Sequence, residues 1–174
     1  MGIRKAAGSH CLVRTAQKKD YEAILEIFNY YIRSSFAAYP VEEVDLRFLD
    51  AIRRVAVTFP LYIVEGNERV VGFGMMRPFL PYQSFRHTAQ LSYFLRPEWT
   101  GQGLGSLLLD RLTADARERG IRVLLANVSS RNESSLQFHL KHGFEECGRL
   151  REVGEKFGSP FDVVWLQKIL GPPS

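Results

Sequence analysis

The sequence predicts an α/β fold with a mixed sheet of about seven strands, and three observations support this. An apolar and aromatic run over residues 90–96 is typical of a strand, and Pro97 ends it because proline has no amide hydrogen to give a ladder. Three glycines then alternate along residues 101–105, and leucines recur at helical spacing up to residue 112. The centre of the chain is therefore a strand, a glycine loop and a helix.

The remaining elements follow from periodicity and turn residues. Six further strands are predicted, at residues 11–15, 61–65, 69–77, 121–128, 145–153 and 161–169. Three further helices are predicted, at residues 20–33, at residues 45–57, and from the N-cap Asn132 to Gly143. Gly120 is a natural C-cap for the central helix.

Composition predicts a single domain over residues 11–174, with a loose leader at residues 1–10. The chain has 174 residues, of which 45% are hydrophobic and 24% charged, as in an ordinary globular domain with a real core. No apolar run approaches the roughly 18–20 residues that span a bilayer, and the N-terminus lacks the apolar core of a secretion signal. The two cysteines form no metal motif or disulfide framework. We expect a cytoplasmic protein that needs no metal and has no membrane partner.

The net charge of +4 and the pI of about 9.2 fit two kinds of partner. Nucleic acid is the weaker alternative, because basic residues are scattered among acids and form no block of five. A phosphorylated cofactor suits a mildly basic domain equally well. The expectation is an anionic small molecule and no nucleic acid.

The glycine loop predicts a phosphate cradle. Its backbone N–H groups converge, and the positive end of the following helix adds to their attraction for an anion. The spacing misses the dinucleotide fingerprint by one position, and the Lys-Ser/Thr pair of a Walker loop is absent. On the glycines alone, a tight turn without a ligand is an equally good interpretation.

The loop Thr100–Gly105 resembles the CoA pyrophosphate motif of the GNAT superfamily of N-acyltransferases, with Thr100 at the usual Arg/Gln position. Other segments resemble its phosphinothricin and methionine sulfoximine acetyltransferase branch, over about residues 13–170: these are residues 27–29, 86–88, 132, 142–144 and 150–158. The resemblance implies one twisted sheet with helices on both faces, acetyl-CoA as co-substrate and a homodimer. It also implies acetyl transfer to the amino group of a small molecule, with an amino acid or an analogue as first candidate.

The resemblance also assigns cofactor contacts. The pantetheine arm is expected to pair with the backbone of Tyr93, Phe94 and Leu95 like an added strand. A free N–H near residues 91–93 would serve the oxyanion. The phosphate contacts fall on Gly101, Gln102, Gly103, Leu104, Gly105 and Ser106, with Asn132 on the pantetheine or phosphate side.

The catalytic assignments contain one departure. The branch places a glutamate base where this chain has Gln90, and an amide cannot accept the amine proton. A water chain could pass the proton to His87 or to solvent, the acceptor could arrive neutral, or the protein could be slow or act on something else. The first explanation is favoured, because a positioned base contributes typically about 10²–10⁴-fold and its loss slows transfer without abolishing it. Gln90 could also serve only to orient the substrate.

His139 stands where many members have the tyrosine that protonates the thiolate, and a histidine titrates near neutrality. The other interpretation is a core histidine with satisfied hydrogen bonds. The resemblance favours the functional role.

The acceptor site is predicted around Phe36, Arg77, Pro78 and Thr88. Arg77 could pair with a carboxylate or be a solvated residue at a strand end, and Phe36 could line the pocket or belong to the core. The loop at residues 78–88 contains no acid, which argues against a polyamine acceptor. Two alternatives remain: an acyl-CoA-binding module with little turnover, and an acetyltransferase for a protein N-terminus or a polyamine.

Overall fold

The structure is a computed structural model that describes residues 3–6, 9–56 and 58–171, built around one eight-stranded sheet. The strands are β1 Ile3–Ala6, β2 Ser9–Thr15, β3 Leu61–Gly66, β4 Arg69–Pro78, β5 Thr88–Leu95, β6 Val123–Ser129, β7 Glu145–Lys156 and β8 Ser159–Ile169. Their order is β1-β2-β3-β4-β5-β6-β8-β7, and every pairing is antiparallel except the parallel pair β5–β6. The predicted mixed sheet is confirmed, with one strand more than expected.

The additional strand is a correction to the predicted loose leader. β1 pairs with β2 in a register that runs from Ile3 opposite Leu12 to Ala6 opposite Ser9. This pairing covers the edge of β2, whose backbone groups need partners as those of any strand do. Residues 1, 2, 7 and 8 of that leader lie outside the described residues.

Four α-helices in the described part of the chain cover the two faces of the sheet, as predicted. They are α1 Tyr21–Ser34, α2 Leu46–Ala56, α3 Leu104–Glu118 and α4 Glu133–Lys141. One face, called the α1 face here, packs against α1 and α2 through Ile24, Ile27, Leu49, Ile63 and Phe73. The other, the α3 face, packs against α3 and α4 through Leu91, Leu104, Leu108, Leu112 and Leu136. No helix in the described part of the chain has the length and apolar character that crossing a bilayer requires.

Alternation along β5 divides its side chains between these faces. Ala89 and Leu91 are buried in the α3-face core, while Phe94 packs into the α1-face core. Because successive residues of a strand point to opposite faces, Gln90 shares the α1 face with Phe94. Gln90, which stands where the resembling branch has its glutamate base, therefore lies on the side of the sheet covered by α1 and α2.

The pairing of β5 with β6 ends partway along both strands. Their parallel pairing runs only from Thr88 opposite Val123 to Gln90 opposite Leu125. β5 nevertheless continues to Leu95 and β6 to Ser129. The gap between them beyond Gln90 and Leu125 is called the wedge here. It opens toward the loop that begins α3, so a ligand bound at the loop can extend into it.

Candidate active site

The loop before α3 has the backbone of an anion cradle. Gly101 has a φ of +73° and Gly103 a φ of +81°, in the left-handed region that other residues enter at a cost. A Cβ added at either position would meet no described atom within 4 Å, so a ligand can approach the main chain there. Gly103 is the N-cap of α3, and the first N–H groups of that helix have no intrahelical carbonyl to bind.

Gly105 has a different purpose, since it lies inside α3. A Cβ at this position would lie 3.2 Å from Cε2 of Phe138, so the glycine lets α4 pack closely on the start of α3. Next to it, the Ser106 hydroxyl donates to Nε2 of His142 over 2.8 Å, and Nδ1 of His142 donates to the Phe138 carbonyl over 2.7 Å. Gly105 and Ser106 thus fix the cradle against α4.

The other loop side chains are turned toward their own backbone. The Gln102 amide donates to the Glu98 carbonyl over 2.9 Å, and the Thr100 hydroxyl donates to the Pro97 carbonyl over 2.8 Å. Leu104 is buried in the α3-face core. Cofactor contacts at these positions would accordingly come from main-chain N–H groups.

Backbone groups of β5 point into the wedge at alternate residues. The Arg96 N–H donates to Val71 O over 2.7 Å, and the Phe79 N–H donates to Thr88 O over 3.4 Å. These bonds place the even-numbered residues of β5 in the ladder with β4. The N–H and C=O groups of Leu91, Tyr93 and Leu95 therefore face the other side, although Leu95 O already accepts from the Tyr31 hydroxyl over 2.6 Å.

Phe94 departs from its predicted role as a backbone partner of the cofactor. Its backbone belongs to the even-numbered set that pairs with β4. Its ring lies on the α1 face, with its centroid 5.2 Å from that of Phe28 and 5.5 Å from that of Phe73. Phe94 therefore supports the sheet under α1, and Leu91 takes its place among the residues whose amides face the wedge.

Gln90 lies where the wedge begins, with only 5% of its surface exposed. Its Nε2 has no hydrogen-bond partner among the described residues. A buried amide nitrogen without a partner costs free energy, so a group that can accept from it is expected when the site is filled. On the neighbouring strand Arg77 lies directly opposite Gln90 and is exposed. A buried donor and an exposed cation thus sit side by side.

Asn127 is a residue of this site that sequence reasoning missed. It is half-buried on β6, two residues beyond Leu125, and so lies on the α1 face at the wedge. The available signal was an amide within the apolar run at residues 123–128. Its relation to Gln90 could not be read from the sequence because it depends on the register between β5 and β6.

His139 is buried, with 3% of its surface exposed, and both ring nitrogens are engaged. Nδ1 lies 2.7 Å from the Ser135 carbonyl oxygen, which can only accept, so Nδ1 carries the hydrogen. Nε2 lies 2.6 Å from the Tyr93 hydroxyl and in the neutral ring accepts a hydrogen bond from it. Burial lowers the pKa of His139 and raises that of Tyr93. The predicted thiolate donor is therefore one half of a Tyr93–His139 pair.

The buried Tyr93–His139 pair predicts that the folded protein loses stability in acid. Because the pKa of His139 is lower in the folded chain than its ordinary value of 6.5, the unfolded chain binds more protons below about pH 6.5. The free energy of unfolding should fall as the pH drops from 7.5 to 5.5, measured by urea denaturation. His139→Gln should show a smaller fall, since its amide does not titrate in that window. Equal pH dependence in both proteins would contradict this account.

His87 is turned away from its predicted part in proton transfer. Its Nδ1 lies 2.8 Å from the Gly120 carbonyl, at the turn between α3 and β6. Its own carbonyl accepts from the N–H groups of Arg122 and Val123. These bonds join the start of β5 to the start of β6. They give His87 a structural role that does not involve proton transfer.

The predicted acceptor residues fall on both faces of the sheet. Arg77 and Thr88 share the α1 face with Gln90, whereas Pro78 alternates with Arg77 and points to the α3 face. This orientation removes Pro78 from the predicted acceptor contacts.

Phe36 and Asn132 have structural partners of their own. The ring of Phe36 packs against Phe157 and Phe161, with centroids 5.5 and 5.7 Å away. Asn132 is the N-cap of α4, and its Oδ1 accepts from the Ser135 N–H over 3.3 Å. The capping role is confirmed, and it leaves the cofactor contact of Asn132 as a prediction.

The anion cradle and the adjoining wedge between β5 and β6 define a site for a long phosphorylated ligand with an extended arm. The family model for an acetyltransferase (GNAT) domain matches residues 13–165. The chain belongs to the GNAT family and is an acetyl-CoA-dependent N-acetyltransferase.

Two curated relatives match nearly the whole chain. The L-amino acid N-acyltransferase MnaT of Escherichia coli K12 is 33% identical over 159 residues, which cover 89% of this chain and 91% of the relative. The L-methionine sulfoximine/L-methionine sulfone acetyltransferase of Salmonella typhimurium LT2 is 32% identical over 159 residues, which cover 89% and 92%. The predicted resemblance to this branch is confirmed.

Solved structures agree in fold. An acetyltransferase from Salmonella typhimurium with its cofactor acetyl-CoA is 30% identical, with a TM-score of 0.87 over 94% of this chain and 96% of that one. A ribosomal-protein-alanine N-acetyltransferase from Brucella melitensis is 38% identical, with a TM-score of 0.85 over 91% and 99%.

Proposed function

We propose that the acceptor is an amino acid or a close analogue, with methionine sulfone and methionine sulfoximine as first candidates. The observation that carries this is that exposed Arg77 lies opposite Gln90, where the wedge begins, and that the buried Gln90 Nε2 has no partner among the described residues. A guanidinium binds a carboxylate through paired, charge-assisted hydrogen bonds. The Gln90 Nε2 can donate to a second oxygen of the same molecule. The names of the two curated relatives support this acceptor class.

The residues present fit acetyl-CoA, which supplies the acetyl group as a thioester. The N–H groups of Gly103, Leu104 and Gly105 suit its phosphates, because they open α3 without intrahelical partners and the main chain is approachable at Gly101 and Gly103. The backbone N–H and C=O groups of Leu91 and Tyr93 that face the wedge suit the amides of its extended arm. We place the cofactor along the line from the cradle into the wedge.

In acetyl transfer the acceptor nitrogen forms a bond to the acetyl carbon, the carbon–sulfur bond breaks, the nitrogen loses one proton and the sulfur gains one. Arg77 and Gln90 orient the acceptor from the α1 face. The N–H of Leu91 or Tyr93 donates to the acetyl carbonyl oxygen. Gln90 is not a base, so the amine proton goes to solvent. We assign the proton for the sulfur to the Tyr93–His139 pair, which shares one hydrogen-bonded proton and regains it from the solvent that took up the amine proton.

The homodimer and the cytoplasmic location stay predictions. Edge strand β7 exposes Leu150 and Val153, and Phe157 is exposed in the turn that follows it. An apolar surface on an edge strand suits a second copy of the chain. We propose this hairpin as the dimer contact.

The acceptor is tested by CoA release from acetyl-CoA with methionine sulfone, methionine sulfoximine, phosphinothricin, common amino acids and polyamines. We expect turnover on amino acids or their analogues and none on polyamines. Arg77→Leu should raise the KM for the turned-over amino acid about tenfold or more, because it removes a charge-assisted carboxylate contact. The amide of the same amino acid lacks the carboxylate and is the control, since its KM should hardly change.

A protein N-terminus is the second candidate acceptor, favoured by the name of the Brucella melitensis structure. A peptide that begins with alanine, added to the same panel, separates the two. Turnover on the peptide with none on free amino acids would replace the proposed acceptor. Acetyl-CoA binding with no CoA release on any acceptor would instead favour a binding module.

A further inference from the structure

Lys156, the last residue of β7, is a buried cation that the proposed reaction does not use. It is 3% exposed. Its Nζ donates to the carbonyl oxygen of Ser35 over 2.8 Å and to that of Ala38 over 2.7 Å. These partners belong to the loop between α1 and α2, 121 and 118 positions earlier in the chain. One side chain thus ties that loop to the β7–β8 hairpin.

Burying the Lys156 ammonium costs more free energy than burying an apolar side chain at this position would. Within the described residues it forms no ion pair, and burial lowers its pKa. A buried ammonium without an opposite charge costs free energy that an apolar side chain of similar volume would not. The ammonium fixes the position of the loop, because it binds two carbonyl oxygens of that loop at a single nitrogen. Its presence is therefore better explained by the position of the loop than by stability.

The loop held in this way carries aromatic side chains onto the hairpin. Phe36 contacts Phe161 edge-on, and Tyr39 stacks on Phe161 with ring centroids 5.8 Å apart. Gly154, opposite Phe161, leaves room for that ring, since a Cβ there would collide with its Cζ, Cε2 and Cε1 atoms. The hairpin is thus shaped to receive the loop at the point where Lys156 fastens it.

The fastened loop borders the face where Gln90 lies. Phe161 and Trp165 alternate with Val164, which is buried in the α3-face core, so both point to the α1 face. Trp165 meets Phe79 of the loop after Arg77, with ring centroids 6.0 Å apart. The α1–α2 loop on Phe161 and the loop after Arg77 on Trp165 therefore cover the β8 aromatics on the face that also carries Arg77 and Gln90, and this cover is called the wall here.

We propose that Lys156 is a positioning residue that sets this wall, and through it the affinity for the acceptor. The inference rests on the proposed acceptor site. It predicts that Lys156 governs the order of residues 36–39 and the KM for the acceptor. The cradle lies at the start of α3 and the wedge between β5 and β6, and neither includes Lys156 or the loop that it holds.

The test compares the wild type with Lys156→Met and Lys156→Arg. Hydrogen exchange of residues 36–39 should be at least about tenfold faster in Lys156→Met, because each lost bond is to a charged donor. Exchange in α3 and β5 should not change. The KM for methionine sulfone, or for whichever amino acid the panel identifies, should rise about tenfold with little change in kcat. The Kd for acetyl-CoA should stay within about twofold. Lys156→Arg keeps the charge and donors and should recover part of both effects.

The outcomes separate the inference from the proposed function. Unchanged exchange at residues 36–39 overturns the inference, whatever the acceptor proves to be. Faster exchange with an unchanged acceptor KM also overturns it, since the loop would then not border the acceptor. If the wild type turns over no amino acid, the proposed function fails, while the exchange result still decides whether Lys156 orders the loop. If Lys156→Met does not fold, Lys156→Gln is compared in the same way.

Discussion

Gly103→Val is expected to abolish measurable acetyl-CoA binding. The φ of +81° at Gly103 lies in a region where a β-branched residue is strongly disfavoured, at a cost of about 1–3 kcal/mol. The chain can relieve that strain by rotating the loop, which turns the first N–H groups of α3 away from the phosphates. If it keeps the loop conformation, the isopropyl group occupies the open space through which the ligand approaches. We expect the Kd for acetyl-CoA, measured by calorimetry, to rise by at least about 100-fold, which corresponds to about 2.7 kcal/mol.

A matched control lies at the other end of the same helix. Gly120 follows α3 with a φ of +71°, and a Cβ there would also meet no described atom within 4 Å. Gly120→Val therefore introduces comparable backbone strain far from the cradle, and it should lower stability while leaving the acetyl-CoA Kd nearly unchanged. Equal Kd values for Gly103→Val and the wild type would remove the cradle assignment.

The cradle was predictable because its signal is local. Glycines at alternate positions, a proline that ends a strand and leucines at helical spacing all lie within about 25 residues, and the structure places Gly103 at the start of α3. The alternation of apolar residues likewise predicted most strands to within a few residues. The strand at residues 3–6 was missed because it depends on pairing with β2.

The chemistry of the site was less predictable because it depends on register and on contacts distant in sequence. The sequence identified His139 but not Tyr93 as its hydrogen-bond partner, which is 46 residues away. It identified Gln90 but not Asn127, since their common face follows from the short β5–β6 pairing. His87 was placed near the proton path, although the Gly120 carbonyl holds its ring elsewhere. Residue type indicates a candidate, and only the packing decides what the candidate touches.

Gln90→Glu is expected to convert a slow, solvent-dependent proton transfer into a base-assisted one. Gln90 is buried, so a glutamate in its place would have a pKa above its ordinary value. A base poised nearer neutrality contributes about 10²–10⁴-fold, and we expect kcat on an amino acid near pH 7 to rise by about 100-fold. The KM for the acceptor should rise as well, because the Nε2 donor is lost and a new carboxylate repels that of the acceptor.

The pH profile distinguishes a new base from a general improvement. In the wild type only the neutral amine reacts, so kcat/KM should rise about tenfold per pH unit up to the pKa of the amine. In Gln90→Glu the profile should flatten above the pKa of the new carboxyl group. Gln90→Met is the control, since it removes the donor without adding a base and should raise the acceptor KM with no gain in kcat. A fall in kcat for both variants would mean that Gln90 serves transfer by orienting the acceptor, and that deprotonation of the amine is not what limits this enzyme.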